Sequence, residues 1–321
     1  MPFPDGYRLR PPTTADGPVV VAMLNEETMA FAGVAFTSLD WVAGPWTAPG
    51  VDLERNYAVV IGPAGDIAGY FFLESEPPHT SVFSIGAVGL AHHGRGVGAA
   101  IVEELERRAE GYARSAPPGE AVTWRMGALA NEPRVGRLLA DHGFEERRIF
   151  WMMKRRFEGP PPAAGEVPGY TFGGVEPGAE AEVYDCLAEA FEDHYGDGLP
   201  PLDVWLHTQV TVAQRHDASL WHVARDGDGV IVGALLGEPV ADEDPTFGYV
   251  ALFGVRRSAR GRGIGEALLR RSFTQFHDLG RAGVMLFVDS ESTTGATRLY
   301  ERAGMTGRPR FANWERQIQR P

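Results

Sequence analysis

Cysteine and lysine each occur once among the 321 residues, as Cys186 and Lys154. A lone cysteine excludes an internal disulfide. Cys186 stands among Val183, Leu187 and Phe191 at helical spacing, so it reads as a small buried hydrophobe rather than a nucleophile. No paired Cys/His spacing is present, so no metal site is expected. Long apolar runs are missing as well: nothing approaches the roughly 20 residues that span a bilayer. Met1–Gly6 has neither the basic head nor the apolar stretch of a secretory signal, and the expectation is a cytoplasmic protein with no membrane partner. Positive charge is scarce, with 30 Lys and Arg against 43 Asp and Glu and a net charge of −13. Nucleic acid binding needs a basic surface and is not expected. The balance mildly favours a cationic or amine ligand.

Glycine, by contrast, is abundant at 40 residues, and its placement repeats. A strand-like run, Val250 to Val255, leads into Arg260-Gly261-Arg262-Gly263-Ile264-Gly265 and then into an apolar helical pattern. Upstream, Ser84 to Leu90 leads into His93-Gly94-Arg95-Gly96-Val97-Gly98 and another helical pattern. Glycines let the backbone bend tightly and leave its N–H groups uncovered, and the following helix adds the positive end of its dipole. Each loop is therefore a candidate anion cradle. The correspondence extends outward: Gly6-Tyr7 with Gly169-Tyr170, Gly69 with Gly233, and Leu138-Leu139 before His142-Gly143-Phe144 with Leu299-Tyr300 before Ala303-Gly304-Met305. Anchors repeated in one order imply a duplication, with each copy of ordinary domain size.

Between the copies, the stretch from Phe157 to Pro168 carries three consecutive prolines, which forbid regular structure. The expected domains are 1–158 and 168–321. Strands are expected at 56–61, 67–74 and 81–90 in the first copy and at 220–225, 230–237 and 246–255 in the second. After the second glycine loop come a helix with Ala267, Leu268, Arg271, Ser272, Phe276 and Leu279 on one mostly apolar stripe, a short strand over 283–288 and a helix over 294–303 stopped by Gly304. This order describes an α/β fold with a mixed sheet, made twice.

With these motifs in place, the chain resembles the GNAT superfamily of acyl-CoA-dependent N-acyltransferases. Arg260-x-x-Gly263-x-Gly265 is similar to the pyrophosphate motif of that family, and Leu299 to Met305 is similar to its later helix signature. The tandem arrangement, with Leu286 to Ser292 before the last helix, resembles the mycothiol synthase group of two-domain members. The resemblance implies two tandem GNAT-like domains, each a mixed, splayed sheet flanked by helices. It implies acetyl-CoA as co-substrate and direct transfer, in a ternary complex, to a primary amine of a small molecule. Backbone groups of Phe253, Gly254 and Val255 would pair with the pantetheine arm like an added strand. Arg260, Gly261, Arg262, Gly263, Ile264 and Gly265 would hold the pyrophosphate. Ser292 stands where the family often has an asparagine that touches the cofactor, and Tyr300 would be the general acid.

Attack of an amine on a thioester expels a thiolate, and a nearby phenol eases its departure by protonating it. A tyrosine packed on a helix face is the competing account of Tyr300. The base is open. The resemblance to the mycothiol synthase group implies a glutamate where this chain has Tyr249, while Glu238 and Asp289 are carboxylates that could assist through water and His194 is a lesser candidate base. Ala190 to Gly196 lies where the family puts its substrate-covering helices, so Phe191, His194, Tyr195 and Tyr249 are candidate acceptor contacts, with core packing as the alternative for Phe191 and Tyr195. In the first copy His93 replaces Arg260 and Leu139 replaces Tyr300, which leaves no phenol and points to a structural or substrate-shaping domain. Three readings remain: an N-acetyltransferase for a small amine, a mycothiol synthase group member acetylating a cysteinyl pseudodisaccharide, and a non-catalytic acyl-CoA sensor. Retention of Tyr300 argues against the sensor.

Overall fold

A computed structural model describes the chain except for residues 1–2, 36, 48–50, 193, 196–197, 207–208, 211–216, 242, 293–294 and 319–321. It divides into two compact units, Met1–Phe150 with Pro309–Pro321, and Trp151–Arg308.

The first half of the chain forms β1 (Arg8–Arg10), α1 (Gly17–Ala32), α2 (Leu39–Ala43), α3 (Leu53–Asn56), β2 (Tyr57–Ile61), β3 (Ile67–Glu74), β4 (Ser81–Val88), α4 (Val97–Ala113), β5 (Val122–Leu129), α5 (Pro133–Asp141) and β6 (Glu145–Arg156). The second half forms β7 (Thr171–Gly173), α6 (Glu180–Phe191), α7 (Leu202–Leu206), β8 (Trp221–Arg225), β9 (Ile231–Glu238), β10 (Phe247–Val255), α8 (Ile264–Asp278), β11 (Gly283–Asp289), α9 (Ala296–Arg302) and β12 (Thr306–Ile318). The expected strands and helices fall within these elements or within a residue or two of their ends. Thr294, where the last helix was expected to begin, lies outside the described residues.

In each unit the sheet is covered on both faces, which is why β2, β3 and β9 read as near-continuous apolar runs. In the first unit, Val20, Met23 and Leu24 of α1 pack with Val59, Ile61 and Tyr70 on one face. On the other, Ile101 and Leu105 of α4 pack with Val60, Phe71 and Leu73. In the second unit, Val183, Cys186 and Leu187 of α6 pack with Val223, Ala234 and Leu236. Leu268, Phe273 and Phe276 of α8 pack with Leu235 and Val284 on the opposite face. Burial pushes the Cys186 thiol up to about 11, so it stays protonated and acts as the small hydrophobe its spacing suggested.

The strand order is β1-β2-β3-β4-β5 followed by β12 from Pro309 on in the first unit, and β6 from Trp151 on followed by β11-β10-β9-β8-β7 in the second. Division of the chain at the proline-rich stretch therefore does not describe the compact units. Phe311 to Ile318 of β12 pair antiparallel with Leu129 to Val122 of β5, which places the last strand in the first unit. Met153 of β6 is fully buried in the core of the second unit, and the Phe157 N–H donates to the Ala282 carbonyl at 2.9 Å. Each unit thus completes its sheet with a strand from the other half of the sequence. Proline and glycine mark where regular structure stops, but strand pairing decides which unit a segment joins, and β6 passes into the second unit before the prolines begin.

Candidate functional site

The second unit is built around the separation of two parallel strands. β10 pairs with β11 over Phe247↔Gly283, Gly248↔Val284 and Tyr249↔Met285, and the register stops there while β10 continues to Val255. On its other edge β10 stays paired to β9, with Phe253, Gly254 and Val255 opposite Leu235, Ala234 and Gly233. Alternate residues of an antiparallel strand turn their N–H and C=O away from that partner, so the edge beyond Tyr249 presents backbone groups to the gap.

The β9–β10 register shifts between Val250 and Leu252. This bulge reverses the side-chain alternation. Tyr249 lies opposite Glu238, Leu252 opposite Leu236 and Gly254 opposite Ala234, so Tyr249 and Gly254 share the α6 face although they are an odd number of residues apart. There a Cβ on Gly254 would come within 2.6 Å of the Ala190 Cβ and 3.3 Å of Leu187. Phe287 and Asp289 alternate with Met285, the partner of Tyr249, and join that face. The Tyr249 and Phe287 rings meet edge to face at 6.4 Å.

Tyr300 lies on the other side. It packs in the α8-side core with Val250, Val288 and Leu268, and its ring lies 6.2 Å from Phe253. The side chain is 6% exposed, and burial pushes its hydroxyl above the usual range, so the phenol keeps its proton. The hydroxyl makes no hydrogen bond among the described residues. The candidate acid and the candidate carboxylates thus stand on opposite faces, with the gap beside β10 at the boundary.

Below the gap, the chain turns through the glycine loop. Gly261 and Gly263 have φ of +75° and +87°, where a side chain is strained, and Gly263 caps α8. The backbone amides from Gly261 to Gly265 have no backbone acceptor among the described residues, so the first turn of α8 and its dipole face outward. At Gly265 a Cβ would come within 3.2 Å of Leu299 and 3.4 Å of Phe253, so the glycine lets the cradle, the open strand and α9 pack together.

Other expected residues carry second duties. The guanidinium of Arg260 is turned to the protein's own backbone, with Nε donating to the Val255 carbonyl at 3.0 Å and Nη2 to the Ala190 carbonyl at 3.1 Å. Arg262 Nη1 donates to the Tyr170 hydroxyl at 2.9 Å. One carboxylate oxygen of Asp289 accepts the Glu291 N–H at 2.9 Å and shapes the turn that carries Ser292. Phe191, the last residue of α6, and His194 stack at 4.2 Å, and Tyr195 is half-buried beside them in sequence.

The first unit repeats this frame with different contents. Gly94 and Gly96 have φ of +73° and +82°, and Gly96 caps α4. His93 Nε2 lies 2.7 Å from the carbonyl of Val88, the last residue of β4, and so fills the place that Arg260 fills at Val255. Leu139, where the other copy has Tyr300, is 1% exposed in the core. Two features were missed by sequence reasoning. Asn131 stands eight residues before Leu139, just as Ser292 stands eight before Tyr300, and the repeat offset would have found it. Glu27, on the sheet-facing side of α1, is nine-tenths buried with no hydrogen bond or ion pair among the described residues. Burial, with the nearby Glu132 charge, pushes its carboxyl up to about 7 against a smaller opposing pull from Arg134.

The Acetyltransferase (GNAT) family model matches residues 181–305. The mycothiol acetyltransferase of Thermomonospora curvata is 30% identical, with 75% of this chain and 76% of the relative covered. The chain belongs to the GNAT family of N-acetyltransferases. A solved GCN5-related N-acetyltransferase from Sphaerobacter thermophilus superposes with a TM-score of 0.85 at 32% identity, covering 99% of this chain and 98% of that one. A tandem GNAT protein from the clavulanic acid biosynthesis pathway shares the fold, with a TM-score of 0.65 at 15% identity over 97% and 98% of the two chains. As GNAT members are, the protein is an acetyltransferase built on a mixed α/β sheet.

Proposed function

We propose that the second unit transfers an acetyl group from acetyl-CoA to a primary amine of a small molecule, by direct attack in a ternary complex. The observation that carries this reading is the combination of an open β10 edge with uncommitted amides at Gly261–Gly265 and a buried, protonated Tyr300 beside Phe253. The loop amides hold the pyrophosphate, and the open edge takes the pantetheine arm as an added strand. Glu238, or Asp289, removes a proton from the acceptor ammonium on the α6 face. The neutral nitrogen attacks the thioester carbonyl, the C–S bond breaks as Tyr300 gives its proton to the leaving thiolate, and the proton that the new amide nitrogen sheds passes through solvent to restore the phenol. Phe191, His194, Tyr195 and Tyr249 form the acceptor wall. Buried as a small hydrophobe, Cys186 is no nucleophile for a covalent route.

The acceptor of the mycothiol acetyltransferases is a narrower reading, supported by relatives that match three quarters or more of this chain. Tyr249 stands against it, since the resemblance to the mycothiol synthase group implies a glutamate at that position. The first unit is read as structural or substrate-shaping, and the protein as a soluble cytoplasmic enzyme. An assay of CoA-thiol release over polyamines, aminoglycosides, amino acids and the cysteinyl pseudodisaccharide tests these readings. Release with one amine class identifies the acceptor. A chain that binds acetyl-CoA but acetylates none of them would instead fit the sensor.

A further inference from the structure

The end of α6 is fastened to the segment that leads into the glycine loop. Glu189 receives the Arg256 guanidinium on Oε2 and the Arg257 backbone N–H on Oε1, the latter at 3.2 Å. One residue on, the Ala190 carbonyl receives Arg260 Nη2 at 3.1 Å. The same arginines are anchored on the sheet side, Arg256 Nε on the Ile231 carbonyl at 2.8 Å and Arg260 Nε on the Val255 carbonyl at 3.0 Å. Arg257 also faces Glu192 at 3.8 Å. Beyond these fastenings the chain runs directly into the stacked pair Phe191 and His194.

Charged hydrogen bonds of this kind are short and directional, and they transmit order between the groups they join. A loop whose amides are uncommitted fluctuates more than one whose amides are taken by an anion. We propose that Glu189 is a positioning residue: it ties the acceptor-covering end of α6 to the pyrophosphate loop, so that a filled loop sets the Phe191–His194 wall. This rests on the reading that the 260–265 loop holds the pyrophosphate of acetyl-CoA. Acetyl-CoA bound at the loop then organises the wall before the amine arrives, and by reciprocity a bound amine tightens acetyl-CoA. Among the described residues of the first unit no side chain of α1 is hydrogen-bonded to the segment before its glycine loop, and His93 instead meets Phe31 of α1 by ring stacking at 6.2 Å.

Hydrogen exchange of the full-length chain, with and without saturating acetyl-CoA, reads this coupling directly. In the wild type, acetyl-CoA should slow exchange at 261–265 and also, by at least about fivefold, at 188–195. Glu189→Ala should keep the protection at 261–265, and acetyl-CoA affinity within about threefold, while protection at 188–195 falls below about twofold. Glu189→Gln, whose amide oxygen still accepts the Arg257 N–H, should recover part of it. Because Glu189 is half-buried at the surface, the glutamine variant also serves if the alanine variant fails to fold. Protection at 261–265 with none at 188–195 in the wild type overturns the proposal, as does undiminished coupling in both variants. Absence of protection at 261–265 overturns the loop assignment and the proposal with it.

Discussion

β4 and β10 are the same strand of the repeat, and they differ in one residue of register. β4 pairs with β3 without interruption from Glu74↔Phe83 to Gly69↔Val88, whereas β10 bulges between Val250 and Leu252. β4 also stays with β5 over five register positions, from Ser81↔Thr123 to Ile85↔Gly127, while β10 leaves β11 after three. The early departure of β10 opens the longer free edge. Above it α6 buries only apolar or small side chains, Val183, Cys186, Leu187 and Ala190, while α1 buries Glu27. The two units thus keep a common frame, and the contents of the gap separate a candidate catalytic unit from a supporting one.

The comparison breaks most sharply at the caps. Gly263→Val and Gly96→Val each force a side chain into the left-handed region, at a similar strain of about 1–2 kcal/mol. Only Gly263→Val should abolish saturable acetyl-CoA binding in calorimetry. Equal losses in both variants would show two working cradles.

At the phenol, Tyr300→Phe removes the proton and keeps the ring. Turnover should fall by roughly 10²-fold while acetyl-CoA affinity changes little, the behaviour of a lost general acid. Leu139→Met should leave turnover unchanged. An unaltered turnover number in Tyr300→Phe, with chemistry rate-limiting, would return that residue to packing.

Glu27 sharpens the contrast through pH. Its folded carboxyl is raised to about 7 from an ordinary 4.5, so the folded chain holds a proton that the unfolded chain releases. Stability is therefore lost as pH rises from 4.5 through about 7, with the full penalty present above that. Glu27→Gln should remove a penalty on the order of 3 kcal/mol at pH 8 and make almost no difference at pH 4. Denaturant unfolding at both values checks this, and equal effects at both would place Glu27 beside an unseen counter-charge. The smallest effect is expected at His93→Ala, where turnover should stay within about twofold because the imidazole serves the loop of the first unit.

Much of the scaffold was legible in the chain. β3 and β10, the glycine caps and α8 follow from apolar periodicity and from turns that demand positive φ, which are local properties. Tyr300 and the cradle stood out because one motif occurs twice, and the loss of its tyrosine at Leu139 marked the copies as unequal. The bulge was not legible, since Val250-Ala251-Leu252 is apolar throughout and gives no hint of which residue is extra. Nor was it legible that the Arg260 guanidinium would fasten the Val255 and Ala190 carbonyls, since that depends on α6 lying beside the end of β10.

By itself, then, the sequence determined the repeat, the order of strands and helices, the two glycine cradles and the asymmetry between Tyr300 and Leu139, because each is written in neighbouring residues or in a constant offset. Only the tertiary structure decided that β6 and β12 pass between units, that Tyr249 and Gly254 share a face, that Glu189 joins α6 to the segment before the loop and that Glu27 is buried with no hydrogen bond or ion pair among the described residues. These depend on register and on contacts between residues far apart in the chain, and a one-residue slip in pairing changes which side chains meet without altering any local pattern.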